Sequence, residues 1–292
     1  MRAVLFSLTL TTLALALAAT ATGGPAAPAA IPGCAKGSLN LLNEGQLSLA
    51  TDNPAFPPWW EGGSKNKDWE LNDPSTGQGY ESAVAYQIAK RLGFTKAQVT
   101  WKVVPFTRSF APGKKPFDWY MAQVSAYPER RKAVTFSTSY YNVNQAVAGL
   151  ESNPISKVRS LAGLKKYRLG AALGTTSYNY IVKYIKPDPD KAPRVYDTVN
   201  DVVTALKTKQ IDGLVTDFPS MGYITNVQVP GSTVVGRLPN QGGVQEYFGL
   251  VFQKGNPLVN CANKAIRQMR DDGTLKRLEV RWLGQKGAPI LK

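Results

Sequence analysis

The sequence predicts an α/β fold of two lobes that the chain crosses twice, and three observations carry that expectation. Short apolar strand patterns alternate with segments of helical period, the alternation starts again near residue 167, and long helical segments are left over at the C-terminal end. The chain has 292 residues, enough for two lobes that each enclose a core. Two cysteines, Cys34 and Cys261, add the connection, because pairing them brings the last helices back beside the start of the folded chain.

The elements follow in order. Arg2 and an uncharged Leu/Ala-rich run over 3–19, followed by Ala19-Thr20-Ala21, form an export signal at 1–21. The run is short for a membrane span, and Gly23-Gly24-Pro25 breaks it. Residues 22–37 are a Pro/Ala-rich linker. A strand over 46–51 runs into the turn Asp52-Asn53-Pro54. Val84, Ile88 and Leu92 mark a helix over 79–92 that stops at Gly93. Strands are predicted at 99–104 and 117–124, and an extended stretch at 144–150. The second series has strands at 167–173, 194–196 and 211–216, with helices at 176–185, 199–207 and 219–227. An extended stretch at 246–253 leads to helices over 256–283, broken at Asp272-Gly273. This assigns 38–145 plus 250–292 to the first lobe and 146–249 to the second, with crossing strands near 145 and 248 as a hinge.

Composition excludes several classes. Histidine is absent, which removes His-dependent triads and argues against a zinc site; no metal and no cofactor are expected. The net charge is +15, yet no arginine-rich or aromatic-basic module stands out, so nucleic acid is not an expected partner. A solvated basic surface, facing anionic lipid or cell wall, accounts for the charge. An even cysteine pair in an exported chain predicts a disulfide, Cys34 to Cys261, closing a loop of more than 200 residues. The rival is a lipid-anchored Cys34, since Gly33 precedes it.

The chemistry gathers at strand ends, where α/β sheets bind ligands. After the strand at 117–124, Gln123 and Val124 offer carbonyls to an ammonium group, Ser125 offers a hydroxyl, and Arg130 a planar fork for a carboxylate. Gly174-Thr175-Thr176-Ser177 repeats the arrangement in the second series, where Thr175 and Thr176 open a helix suited to an anion. Asp217, at the equivalent edge, suits an α-ammonium group or caps the next helix. Asp52 meets a charged ligand tail or shapes the turn at Pro54. Phe56, Trp59 and Trp60 in a Pro-rich loop, with Phe106 and Tyr127, are candidates for a pocket wall.

Asp52-Asn53-Pro54-Ala55-Phe56-Pro57-Pro58-Trp59, Ala89-Lys90-Arg91-Leu92-Gly93, the stretch from Ser125 through Arg130 to Ser137, Gly174-Thr175-Thr176, Asp212 with Asp217, and Asp272-Gly273-Thr274-Leu275 with Trp282 resemble the family 3 bacterial extracellular solute-binding proteins. The resemblance spans 45–283. It implies two Rossmann-like lobes joined by two hinge strands, the type II periplasmic-binding-protein arrangement, closing around one free amino acid. It implies that Arg130 and Thr176 hold the α-carboxylate, that Asp217 with Gln123 or Ser125 meets the ammonium, and that Asp52 and Phe56 line the side-chain subsite. A monomeric receptor delivering a polar or cationic amino acid to an ABC importer permease, in the periplasm or outside the cell envelope, is the function implied. Two departures from the family pattern stand out: Ala126-Tyr127 stands where the family reads Ile-Thr, so that Tyr127 replaces a small hydroxyl and narrows the pocket or points away, and Asp118-Trp119-Tyr120-Met121 lacks an acidic second residue. The alternatives are an exported enzyme resembling cyclohexadienyl dehydratases, with Glu81 and Glu246 as its available acids, and a ligand-sensing subunit.

Overall fold

The computed structural model describes residues 30–284 and 288–292. The export signal at 1–21, and the linker as far as residue 29, lie outside the described residues. In chain order the strands are β1 Leu47–Thr51, β2 Val99–Val103, β3 Trp119–Tyr120, β4 Val134–Phe136, β5 Tyr141–Asn142, β6 Gln145–Leu150, β7 Leu169–Ala172, β8 Arg194–Tyr196, β9 Gly213–Asp217, β10 Ser232–Arg237, β11 Tyr247–Phe248 and β12 Val251–Gln253.

The first sheet has the order β2-β1-β3-β12-β4. All five residues of β1 are buried, as expected of an inner strand covered on both faces. It lies parallel to β2, with Leu47 opposite Val99 and Thr51 opposite Val103, and parallel to β3; β12 runs antiparallel between β3 and β4. The predicted strand at 117–124 shrinks to Trp119–Tyr120. The Asp118 carboxylate takes the Leu42 and Ser48 amides, and Gln123 turns the chain with φ +53°.

The helix Tyr80–Arg91 buries Val84, Ala85 and Ile88 in one cluster with Ile266 and Met269 of the helix Leu258–Asp271 and Leu275 of the helix Thr274–Leu283. It starts at Gly79, where φ is +87° and a Cβ would lie 2.5 Å from the Trp59 carbonyl oxygen. Arg91, buried, donates to Asp272 at 2.6 Å and to Thr274, joining this helix to the turn between the other two. Cys34 is bonded to Cys261, which ties the start of the described chain to the same helical layer. The bond also consumes the Cys34 thiol that a lipid anchor would need.

The second sheet has the order β10-β6-β9-β7-β8. Strand β7 is parallel to β8 and β9, while β6 is antiparallel to β9 and β10. The helix Val199–Lys207 carries a reciprocal cap, Thr198 with Asp201, and buries Val202, Val203 and Leu206. Between the sheets, β5 and β11 pair as a short antiparallel ribbon. Strand β5 leads into the second sheet at β6, and β11 leads back into the first at β12.

One expectation is corrected. The tail was assigned with the first lobe, within 250–292, but residues 288–292 lie on the second sheet. Ile290 bridges Arg237 in parallel, Leu161 N donates to Lys292 O at 2.9 Å, and Leu291 is buried with Val235 and Leu238. Gly236 makes the room, since a Cβ there would lie 2.6 Å from the Leu291 side chain. A lone apolar residue beyond the last helix gives no periodic signal of that seat.

Candidate functional site

The ends of β1, β7 and β9 open on a cleft of about 600 Å3 between the two sheets. Asp52, Phe56, Trp59, Phe106, Gln123, Ser125 and Arg130 line it from the first side, and Thr175, Thr176 and Asp217 from the second. Tyr127 does not line it, which corrects its place in the pocket wall. Its hydroxyl accepts from Lys183 Nζ at 2.8 Å, so the ring points to a contact between the lobes.

Arg130 is buried, on the short helix Pro128–Ala133. Its Nη1 donates to Ser125 O at 2.9 Å and its Nη2 to Gly174 O at 2.7 Å, so one guanidinium joins both lobes through two of its five donors. The group lies over the rings of Phe106 and Phe110, at 5.3 and 4.4 Å. Burial lowers its pKa to about 10, while the carboxylates of Glu246 and Asp217 oppose that shift.

Glu246, immediately before β11, occupies the centre of the predicted carboxylate clamp. Its Oε1 accepts from Ser125 Oγ at 2.5 Å and from Thr176 Oγ1 at 2.6 Å, and Gln145 Nε2 lies 3.2 Å from each carboxylate oxygen. Gln145 stands opposite Asp217 in the β6–β9 pairing and donates to Asp217 Oδ1 at 2.7 Å. Asp217 is enclosed apart from the surface it turns to the cleft. Desolvation first, and the Glu246 carboxylate second, push its pKa up to about 8, against Gln145 and Arg130. Glu246 and Gln145 thus engage Ser125, Thr176 and Asp217, three of the groups predicted to hold a zwitterion. In the sequence Glu246 stands out only as an acid available to an enzyme, and Gln145 not at all. Position next to a hinge strand was the available signal, and it does not reveal which way a side chain turns.

The other predicted residues divide between lining and support. Gln123 faces the cleft, but its amide N–H and side-chain amide both donate to Glu81, at 2.7 and 2.5 Å. Glu81 is fully buried, accepts a further bond from Tyr140, and is raised to about 7 by burial against those three bonds. The Val124 carbonyl, offered above to an ammonium, is taken by Gly249 N. Thr175 caps the helix Thr176–Tyr180, accepting from Tyr178 N, and donates to Ala172 O. Trp59 is buried among Tyr80, Tyr141 and Phe248, and its indole donates to Ser220 Oγ across the cleft at 2.9 Å. Phe56 meets Tyr223 of the other lobe, ring centres 6.2 Å apart. Asp52 accepts from Asn53 N, and burial raises its pKa.

The sign of the cleft is opposite to that of the chain. Against a net charge of +15, its lining has five acids, Asp52, Glu70, Asp197, Asp201 and Asp217, and one cation, Arg130. Such a surface concentrates cations.

Residues 64–285 match the family described as bacterial extracellular solute-binding proteins, family 3. The chain is similar to the arginine-binding extracellular protein ArtP of Bacillus subtilis (strain 168), 25% identical over 224 residues, covering 75% of this chain and 84% of the relative. It is also similar to a probable histidine-binding protein of Neisseria gonorrhoeae, 23% identical over 280 residues, covering 95% of both. Among solved structures, an ancestral arginine-binding protein bound to arginine superposes with a TM-score of 0.65 at 29% identity, covering 82% of this chain and 99% of that one. The ancestral amino acid-binding protein AncCDT-1, a precursor of cyclohexadienyl dehydratase, gives 0.65 at 26% identity, covering 82% and 95%.

Proposed function

The chain belongs to the bacterial extracellular solute-binding proteins of family 3, and on that premise we propose that it is an exported, monomeric receptor that captures a cationic amino acid and presents it to an ABC importer permease. The observation that carries the ligand class is the acidic lining of the cleft in an otherwise basic chain. Relatives whose names give arginine or histidine as ligand support the same class.

A zwitterion entering this cleft loses water and needs a charge-assisted hydrogen bond at each pole. Arg130, Ser125 and Thr176 receive the α-carboxylate, while Thr175, its proton on Ala172 O, shapes the helix start beneath them; Asp217, with Gln123, receives the ammonium. Asp52 meets the cationic end, between Phe56, Trp59 and Phe106. Because Ser125 and Arg130 belong to one lobe and Thr176 and Asp217 to the other, full bonding exists only in the closed state, and ligand shifts the protein toward it.

The enzyme alternative finds its two acids already engaged, Glu81 beneath Gln123 and Tyr140, and Glu246 between Ser125 and Thr176. A thermal-shift screen over the twenty amino acids, followed by calorimetry, tests the proposal. Arginine, lysine or histidine should raise the midpoint most, since ligand bound only by the folded state stabilises it. A shift with no cationic amino acid, or steady turnover of arogenate or prephenate, refutes it.

A further inference from the structure

The two hydroxyls assigned above to a ligand carboxylate already hold one. Ser125 Oγ and Thr176 Oγ1 both donate to Glu246 Oε1, at 2.5 and 2.6 Å. A hydroxyl has a single proton, so neither can serve a second carboxylate at the same time. Two carboxylates crowded into one seat would also repel each other. Glu246 and a ligand carboxylate are therefore mutually exclusive there.

The contact joins the lobes. Ser125 follows β3 and bridges Phe248, whereas Thr176 follows β7 and Gln145 starts β6. The backbone at Glu246 is fixed, with its carbonyl accepting from Val143 N and the next carbonyl accepting from Ala126 N, both at 3.0 Å. Displacement thus falls to the side chain. The adjoining segment offers space, since Val244 is 74% exposed and Gly242 and Gly243 have no atom within 4 Å of where a Cβ would stand.

We propose that Glu246 is an internal carboxylate that seats on the Ser125–Thr176 hydroxyl pair, draws the lobes together while the cleft is empty, and is displaced by the carboxylate of the arriving amino acid. The inference rests on the receptor reading above, since that reading makes the hydroxyl pair the ligand's seat. Glu246 then sets affinity without touching ligand: each bound molecule must first undo its contact.

The test uses Glu246→Ala and, as a variant that keeps the side-chain shape should the first misfold, Glu246→Gln. L-arginine and its decarboxylated form, agmatine, are the probes, with calorimetry for affinity and small-angle scattering for the shape of ligand-free protein. Removing the competitor should tighten arginine binding about tenfold, the equivalent of one charge-assisted bond released. Agmatine affinity should change little, and the ligand-free variant should expand. Weaker arginine binding would make Glu246 a ligand contact and overturn the proposal. So would unchanged affinity with unchanged shape, or wild-type protein preferring agmatine to arginine. If neither protein binds any amino acid, the receptor reading fails by itself. Scattering then decides the bridge alone: expansion on substitution supports it, and no expansion overturns it.

Discussion

Asp217 makes the site's affinity a function of pH, with a sign that can be worked out. Its carboxyl is pushed up to about 8, first by desolvation and then by Glu246. A ligand ammonium needs the ionised form. If the pKa is about 8, roughly half the empty sites are ionised at pH 8 and about one in a hundred at pH 6. Affinity should therefore rise by up to about fiftyfold from pH 6 to pH 8, or about 2.3 kcal/mol. This is a ceiling, because Asp217 keeps part of its surface open to cleft water. Stability of the empty protein runs the other way. A carboxyl raised in the fold contributes stability that is complete below the ordinary carboxylate pKa and is lost as pH rises through about 8. Calorimetry from pH 6 to 8.5, in two buffers of different ionisation heat, reads both the affinity and the proton count. Binding below pH 7 should release close to one proton per ligand, and Asp217→Asn should abolish both the release and the slope. A flat affinity across this range with no proton released would refute the reasoning.

Other substitutions follow from named contacts. Arg130→Ala removes the bonds to Ser125 O and Gly174 O and the guanidinium in the cleft; ligand affinity should fall at least about a hundredfold, consistent with losing charge-assisted bonds, with far-ultraviolet dichroism retained. Near-normal calorimetric affinity would take Arg130 out of the site. Replacing Cys34 and Cys261 by serine opens a loop spanning 227 residues, and loop entropy sets the loss at up to about 5 kcal/mol; an unchanged urea midpoint would refute this. Glu81→Ala leaves the Gln123 amide and Tyr140 hydroxyl without their acceptor. About 2–4 kcal/mol of stability should be lost, together with ligand affinity; loss of neither would show that Glu81 does not hold Gln123 in place.

Elements with a strong local period were legible in the sequence. Val84, Ile88 and Leu92 located the first long helix, and the predicted helix at 199–207 matches Val199–Lys207. Strands β4 and β10 were missed, because three residues beside β12, or an edge strand beside β6, owe their form to pairing with distant chain. The site shows the same division. Arg130, Thr176 and Asp217 were visible because they follow strands, which is a local property. That Glu246 already holds the hydroxyls of Ser125 and Thr176 depends on three segments meeting at the hinge, and no spacing encodes it.

The placement of the final residues has a practical consequence. Lys36 sits on the lobe tied down by Cys34 and Cys261, whereas Lys292 is held by Arg159 and Leu161 of the opposite one. Fluorophores attached at positions 36 and 292 would ride on different bodies, so energy transfer between them would report cleft motion in real time. A cargo fused after Lys292 would load the second lobe alone, and its drag would fall on the hinge.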